Sequence, residues 1–116
     1  MSLEHFLTAT SRRTPVYCKP LVLEPGRPPR ELNRLDSKNW TPTPEDLRRD
    51  LAARIRAMAE RLDALIVLDQ VDLPETGVVT EPVQQAAHAA QQQRGDRIVL
   101  ADSRRGLGQY PPLGLR

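Results

Sequence analysis

The chain contains one cysteine, Cys18, in 116 residues. An intramolecular disulfide is therefore excluded, and a reducing, cytoplasmic setting is the expectation. Aromatics are almost missing, with one Trp, one Phe and two Tyr. Leu, Ile, Val and Ala must build the core, and a chain of this length supports one modest core at most. Long apolar runs are absent as well. The longest, Ala64–Leu68, has five residues, against ~20 for a membrane span. The first ten residues include Glu4 and His5 and no apolar core, so neither a signal peptide nor a membrane partner is expected. Nor is there a block of five like charges. A net charge of +2 is spread over interspersed acids and bases, which disfavours nucleic acid as a partner. The two histidines, His5 and His88, stand alone, and no Cys/His cluster has zinc-ligand spacing. No Walker A pattern occurs. Gly106-Leu107-Gly108 lacks a third glycine and is followed by Pro111-Pro112, so it does not read as a phosphate-cradling loop.

What the chain does have is punctuation and two short apolar runs. Its eleven prolines cluster at turns and ends, at 25–29, 42–44 and 111–112. Val16–Glu24 and Glu31–Asp36 flank Pro25-Gly26-Arg27-Pro28-Pro29 and predict a β-hairpin, with Pro20 at an edge or bulge. Trp40 is expected to anchor the loop before the next element, and Cys18 to be a small strand residue. Thr43-Pro44-Glu45-Asp46 reads as a helix start, with Thr43 as cap. Leu47, Leu51, Ile55, Met58 and Leu62 then recur at helical spacing, which predicts a helix over 44–62. Thr80-Glu81-Pro82 repeats the start signal. Val83, Ala86, Ala87 and Ala90 carry that second helix from 81 to about 94, with Gly95 as its left-handed terminator. Ala64–Leu68 and Arg97–Ala101 are too short for helices and nearly all apolar. They read as strands buried on both faces of a parallel sheet.

The fold class is therefore α/β: a β-hairpin followed by α-β-α-β, with an open sheet holding a parallel strand pair. Both helices are expected on one side of that pair, leaving an apolar sheet face uncovered for a protein partner or self-association. In open α/β sheets, ligands bind outside the carboxyl ends of the strands. Asp69 and Asp102 end the two apolar runs at what read as equivalent positions. Gln70, Ser103, Arg104 and Arg105 follow at the same edge. Arginine suits phosphate through its bidentate geometry, so Asp69, Asp102, Ser103 and Arg104 are the candidate substrate or nucleotide residues.

The order Leu32-Asn33-Arg34-Leu35-Asp36, a Pro-started helix, Asp63–Asp72, Gly77-Val78-Val79-Thr80, a helix, then Val99–Gly106 resembles the middle of PfkB-type, ribokinase-like carbohydrate kinases. The nearest likeness is to the heptose-phosphate kinase branch, over roughly residues 14–110. Asp69 matches the Asp of the family's Ser-Asp-Tyr-like motif and Gly77 its loop glycine. Asp102 and Arg104 match the Asp and Lys of Asp-Pro-Lys. Gln70 and Ser103 depart from the pattern, and the loop before Gly77 is longer.

That resemblance implies ATP, Mg²⁺ and a sugar or sugar phosphate. It also marks what is missing: the N-terminal Gly-Gly sugar-recognition segment, the Asn-x-x-Glu motif and the Gly-Ala-Gly-Asp segment that holds the catalytic base. Residues 1–116 thus read as a partial kinase domain, its middle segment, with no catalytic residue of its own and an undetermined metal set. After Tyr110 the expected continuation is replaced by Pro111-Pro112-Leu113-Gly114-Leu115-Arg116. A noncatalytic α/β module assembling with another chain is the alternative.

Overall fold

The structure is a computed structural model that describes residues 2–112; the last four residues of the closing segment named above lie outside them. It is mixed α/β and divides into two compact units. One is residues 9–39. The other runs from Trp40 onward and includes the first residues up to Thr8.

The smaller unit is the expected hairpin, broken into two short ladders. β1 (Val16–Cys18) pairs antiparallel with β4 (Leu35–Ser37), and β2 (Leu21–Val22) with β3 (Arg30–Glu31). Cys18 opposes Leu35, whereas Leu21 opposes Glu31. Lys19 and Pro20 therefore face three residues, Leu32–Arg34, and the ladder carries one extra residue there. A proline has no N–H to give a ladder, so the irregularity falls where Pro20 sits. The Pro20 carbonyl still accepts the Leu32 N–H at 2.9 Å. The tip is a turn closed by Arg27 N–H to Glu24 O, 3.1 Å, with Gly26 at φ 73°. Proline followed by glycine is what a type II turn requires. Cys18 lies on its strand but is exposed.

In the larger unit α1 (Glu45–Met58) continues as a single 3-10 turn, Ala59–Arg61. β5 (Ala64–Asp69), α2 (Glu81–Gln93) and β6 (Ile98–Ser103) follow. β5 and β6 are adjacent and parallel, in register from Ala64 opposite Ile98 to Asp69 opposite Ser103. The core joins Ala52 and Ile55 of α1 and Val83, Ala86 and Ala87 of α2 to Val67, Val79 and Val99. Small alanines on both helices allow close packing. Each buried Val or Ile contributes about 1.5–3 kcal/mol.

The helix ends differ from the sequence expectation. Thr43 does not cap α1 with its hydroxyl; Oγ1 donates to Gly77 O at 2.7 Å, and Pro44 holds the N-cap position. Thr80 makes no side-chain cap bond either. Instead the Glu81 N–H donates to Glu75 Oε1 at 2.9 Å. Gly95 is not the left-handed terminator, because positive φ among glycines occurs only at Gly26 and Gly106 of the described residues. The terminal residue is Arg94, in extended conformation, its guanidinium bonded to Asp96 and Asp63. Trp40 is 72% exposed, so it is not the buried anchor expected.

The strands are not buried on both faces. Val67, Asp69 and Val99 point into the helix-covered side, while Ile66, Leu68, Ile98 and Leu100 are exposed, between 47% and 63%. The uncovered apolar face is therefore present. The reason is strand alternation: successive side chains point to opposite faces, and the helical residues of the core cluster meet only one of them.

Candidate functional site at the carboxyl edge of the parallel strands

β5 and β6 end at the same edge, and the register there decides what each candidate residue does. Asp69 opposes Ser103, and Leu68 opposes Asp102. The two aspartates are not at equivalent positions, as the sequence suggested. They are offset by one residue, and one residue in a strand reverses the face. Asp69 and Ser103 lie on the helix side; Asp102 lies on the open side.

On the helix side Asp69 is the centre of a buried network. Its side chain is wholly inaccessible. Oδ2 accepts hydrogen bonds from an Arg105 terminal nitrogen at 2.7 Å, from the Tyr110 hydroxyl at 3.1 Å and from Ser103 Oγ at 3.3 Å. The Asp69 carbonyl takes the Arg104 N–H at 3.1 Å, and Gly106 N–H closes a turn on Ser103 O at 3.2 Å. That turn folds Arg105 back over the strand end, with Gly106 at φ 91°. A buried carboxylate survives only when paired and hydrogen-bonded, and the segment after β6 supplies both. Burial of the Tyr110 phenol raises its pKa above the ordinary 10.0, and the Asp69 charge adds to this. The bond with Ser103 and the Arg105 charge act in the opposite direction. Asp69 Oδ1 and Thr80 Oγ1 are buried without a protein hydrogen-bond partner.

On the open side Asp102 is exposed and accepts Gln70 Nε2 at 2.9 Å. Arg104 is exposed as well and stands 3.8 Å from Asp72. The four candidates thus share an edge but are not brought together: Asp69 and Ser103 lie inside, Asp102 lies on the open face beside Gln70, and Arg104 is exposed after the strand beside Asp72.

Sequence reasoning read Arg105 as an edge arginine suited to phosphate, whereas it pairs with Asp69, and it missed Tyr110. Both are drawn in by the turn after β6, and the signal was the Gly106 that permits it. The Gln70–Asp102 bond follows from the one-residue offset, which apolar runs alone do not reveal.

Magnesium requires oxygen ligands in near-octahedral geometry, usually one or two carboxylates together with substrate phosphates. Asp69 Oδ2 is taken by Arg105, Tyr110 and Ser103, and the whole side chain is inaccessible. Asp102 is the remaining candidate carboxylate. No group of three or more His, Cys, Asp or Glu with metal-holding geometry exists among the described residues. These residues do not form a metal site by themselves. No helix among the described residues is long and apolar enough to cross a membrane.

No family model, no curated protein and no solved structure matches the chain.

Proposed function

We propose that this chain is the middle segment of a PfkB-type, ribokinase-like carbohydrate kinase domain, and that it does not catalyse phosphoryl transfer by itself. In the full domain the γ-phosphoryl group of ATP would pass to a hydroxyl of a sugar or sugar phosphate, with Mg²⁺. The observation that carries the reading is the parallel pair itself. Strand, helix and strand run in sequence, and both strands end in polar motif residues at one edge. Asp102 and Arg104 stand on the accessible side of that edge, which supports them as phosphate or metal contacts in a complete site. Asp69 and Ser103 support the site from beneath, by fixing the turn that carries Arg104.

Phosphoryl transfer needs positioned phosphates, a metal and a group that accepts the hydroxyl proton. The residues matching the family here supply neither its anion-hole amides nor its base. Loss of one such donor alone costs about 10²–10³ in rate, so losing them together abolishes turnover. The test is an ATP-consumption assay of the purified chain with Mg²⁺ and a panel of hexoses, heptoses and their phosphates. The expected result is no sugar-dependent consumption. Turnover abolished by Asp102→Asn would overturn the partial-domain reading and make Asp102 part of a complete site. A second check is the nucleotide sequence on both sides of the reading frame, where a Gly-Ala-Gly-Asp segment is expected.

A second reading, a noncatalytic α/β module that assembles with another chain, is favoured by the exposed apolar sheet face. It predicts a stable complex and no restored kinase activity.

A further inference from the structure

We propose that residues 104–112 are a latch over the carboxyl edge of β5 and β6, hinged at Gly106, whose opening uncovers the Asp69 carboxylate. The latch governs access to the edge, whichever ligand the edge takes. It leaves β6 at Ser103 and is fastened first by the Arg104 N–H, which donates to Asp69 O at 3.1 Å. Arg105 and the Tyr110 hydroxyl then converge on Asp69 Oδ2, at 2.7 and 3.1 Å. At the far end the Pro112 carbonyl lies 3.0 Å from His88 Nδ1 on α2. Between these points Gly106, Leu107, Gly108 and Gln109 are exposed. Tyr110 alone of the latch packs against the core cluster.

The central fastening is incomplete. Arg105 reaches Asp69 through one terminal nitrogen on one oxygen, where a guanidinium–carboxylate fork makes two parallel bonds. Asp69 Oδ1 and Arg105 Nε are both buried without a hydrogen-bond partner. A pair taken out of water holds firmly only when its remaining lone pairs and N–H groups are satisfied. Opening returns both orphaned groups to water, so it recovers hydration that the closed state forfeits. Because Arg105 and Tyr110 share one oxygen, the two sides of the loop are released together. Gly106 supplies the hinge, at φ 91°; a β carbon there would meet nothing within 4 Å, so conformation alone calls for glycine. Closed, the latch shuts Asp69 and Ser103 away on the helix side. Open, it presents a carboxylate and a hydroxyl at the edge where open α/β sheets receive ligands. The Arg105–Asp69 pair is thus an autoinhibitory contact.

Two measurements on the full chain test this: native-state hydrogen exchange in increasing sub-denaturing urea, and carboxyl modification by carbodiimide and an amine, read by mass spectrometry. The amides of Arg104, Gly106 and Tyr110 are expected to share one opening free energy that urea barely changes. Amides in the middle of α2 should respond steeply, since their exchange exposes the core. Asp69 is expected to be modified through the same urea-insensitive opening, more slowly than the exposed Asp102. Modification of Asp69 only where the α2 amides also exchange overturns the proposal. So do three latch amides with unrelated free energies, the signature of fraying from one end. Gly106→Ala strains the closed form without a clash. It is expected to raise latch opening and Asp69 modification together by about fivefold, both still insensitive to urea. No change in either rate overturns the hinge. Should that variant fail to fold, the wild-type urea dependence decides alone.

Discussion

Asp69 faces Ser103 across the parallel ladder, while Asp102 lies one position earlier, facing Leu68. This single offset separates a buried, structural carboxylate from an exposed one that can meet a ligand. Two aspartates that end similar strands therefore have unrelated physical roles. Asp69 is paired with Arg105 inside the protein, and Asp102 with Gln70 at its surface.

The two should separate cleanly in stability. Asp69→Asn leaves the Arg105 guanidinium, only 19% exposed, without its counter-charge. Breaking a buried pair by removing one partner costs about 3–5 kcal/mol. Asp102→Asn keeps the shape and a hydrogen-bond acceptor at an exposed position, so its effect should lie within about 0.5 kcal/mol of zero. Urea unfolding of both variants checks this. Equal losses would mean that the carboxylates share one environment.

The elements were legible because each has a local cause. Periodic apolar residues gave α1 and α2, the short Val/Leu/Ile runs gave β5 and β6, and Pro25-Gly26 gave the hairpin turn. The register of β5 against β6 was not legible. It is set by tertiary packing of Val67 and Val99 on the helices, and nothing near Asp69 or Asp102 in the sequence announces a one-residue shift. Helix caps misled for a similar reason. Thr43 and Thr80 have the side chains of N-caps, but Gly77 O takes the Thr43 hydroxyl and Glu75 takes the first N–H of α2. Glu75 and Gly77 lie in the loop between β5 and α2, far from Thr43 in sequence.

Arg97, just before β6, is 4% exposed, and its guanidinium is held by backbone carbonyls. Its guanidinium donates to Ala90 O of α2, Ala59 O of the 3-10 turn and, at 3.0 Å, Leu62 O. These carbonyls lie near two helix ends, where the negative end of the dipole favours a cation. Arg97→Met keeps much of the volume and strips the donors from three carbonyls, two of them in buried contacts. A loss of about 3 kcal/mol or more is expected in the denaturant midpoint. Arg97→Lys should recover less than half of it, since one ammonium cannot span the fork. Near-neutral behaviour of Arg97→Met would show that the carbonyls are satisfied without it.

Glu75 is the one non-glycine residue with positive φ, 61°, among the described residues. Its position ties its loop to both helices, α1 and α2. The carboxylate accepts from Arg48 at 3.0 Å and from the Glu81 N–H, and its carbonyl accepts the Thr43 N–H at 2.7 Å. Replacing the side chain by Gly or by Ala removes the same carboxylate, so the two variants differ mainly in backbone strain. Left-handed conformation costs an L-residue about 1–2 kcal/mol, part of which glycine returns in unfolded-state entropy. Glu75→Gly should therefore be the more stable variant by about 1 kcal/mol in thermal or urea unfolding. The reverse order would mean that this turn relaxes to negative φ once the carboxylate is gone.

Tyr110 supplies the pH dependence of the carboxyl edge. Its phenol is raised from 10.0 first by burial, and also by the Asp69 charge that accepts its hydrogen bond. The phenol is neutral when protonated, so a folded-state pKa above the unfolded one favours the folded chain while the proton is on. The contribution is complete below the ordinary value of 10.0 and disappears as pH rises through the higher folded-state value. Tyr110→Phe lacks that ionisation. The stability difference between wild type and Tyr110→Phe should therefore hold constant from about pH 8 to 10 and move against the wild type above it. Thermal melts over this range, with tyrosinate absorbance near 295 nm, measure both the gap and the ionisation. Folded-state ionisation of Tyr110 at or below its ordinary value, or a gap that does not change at alkaline pH, would mean that the Asp69 network does not enclose the phenol.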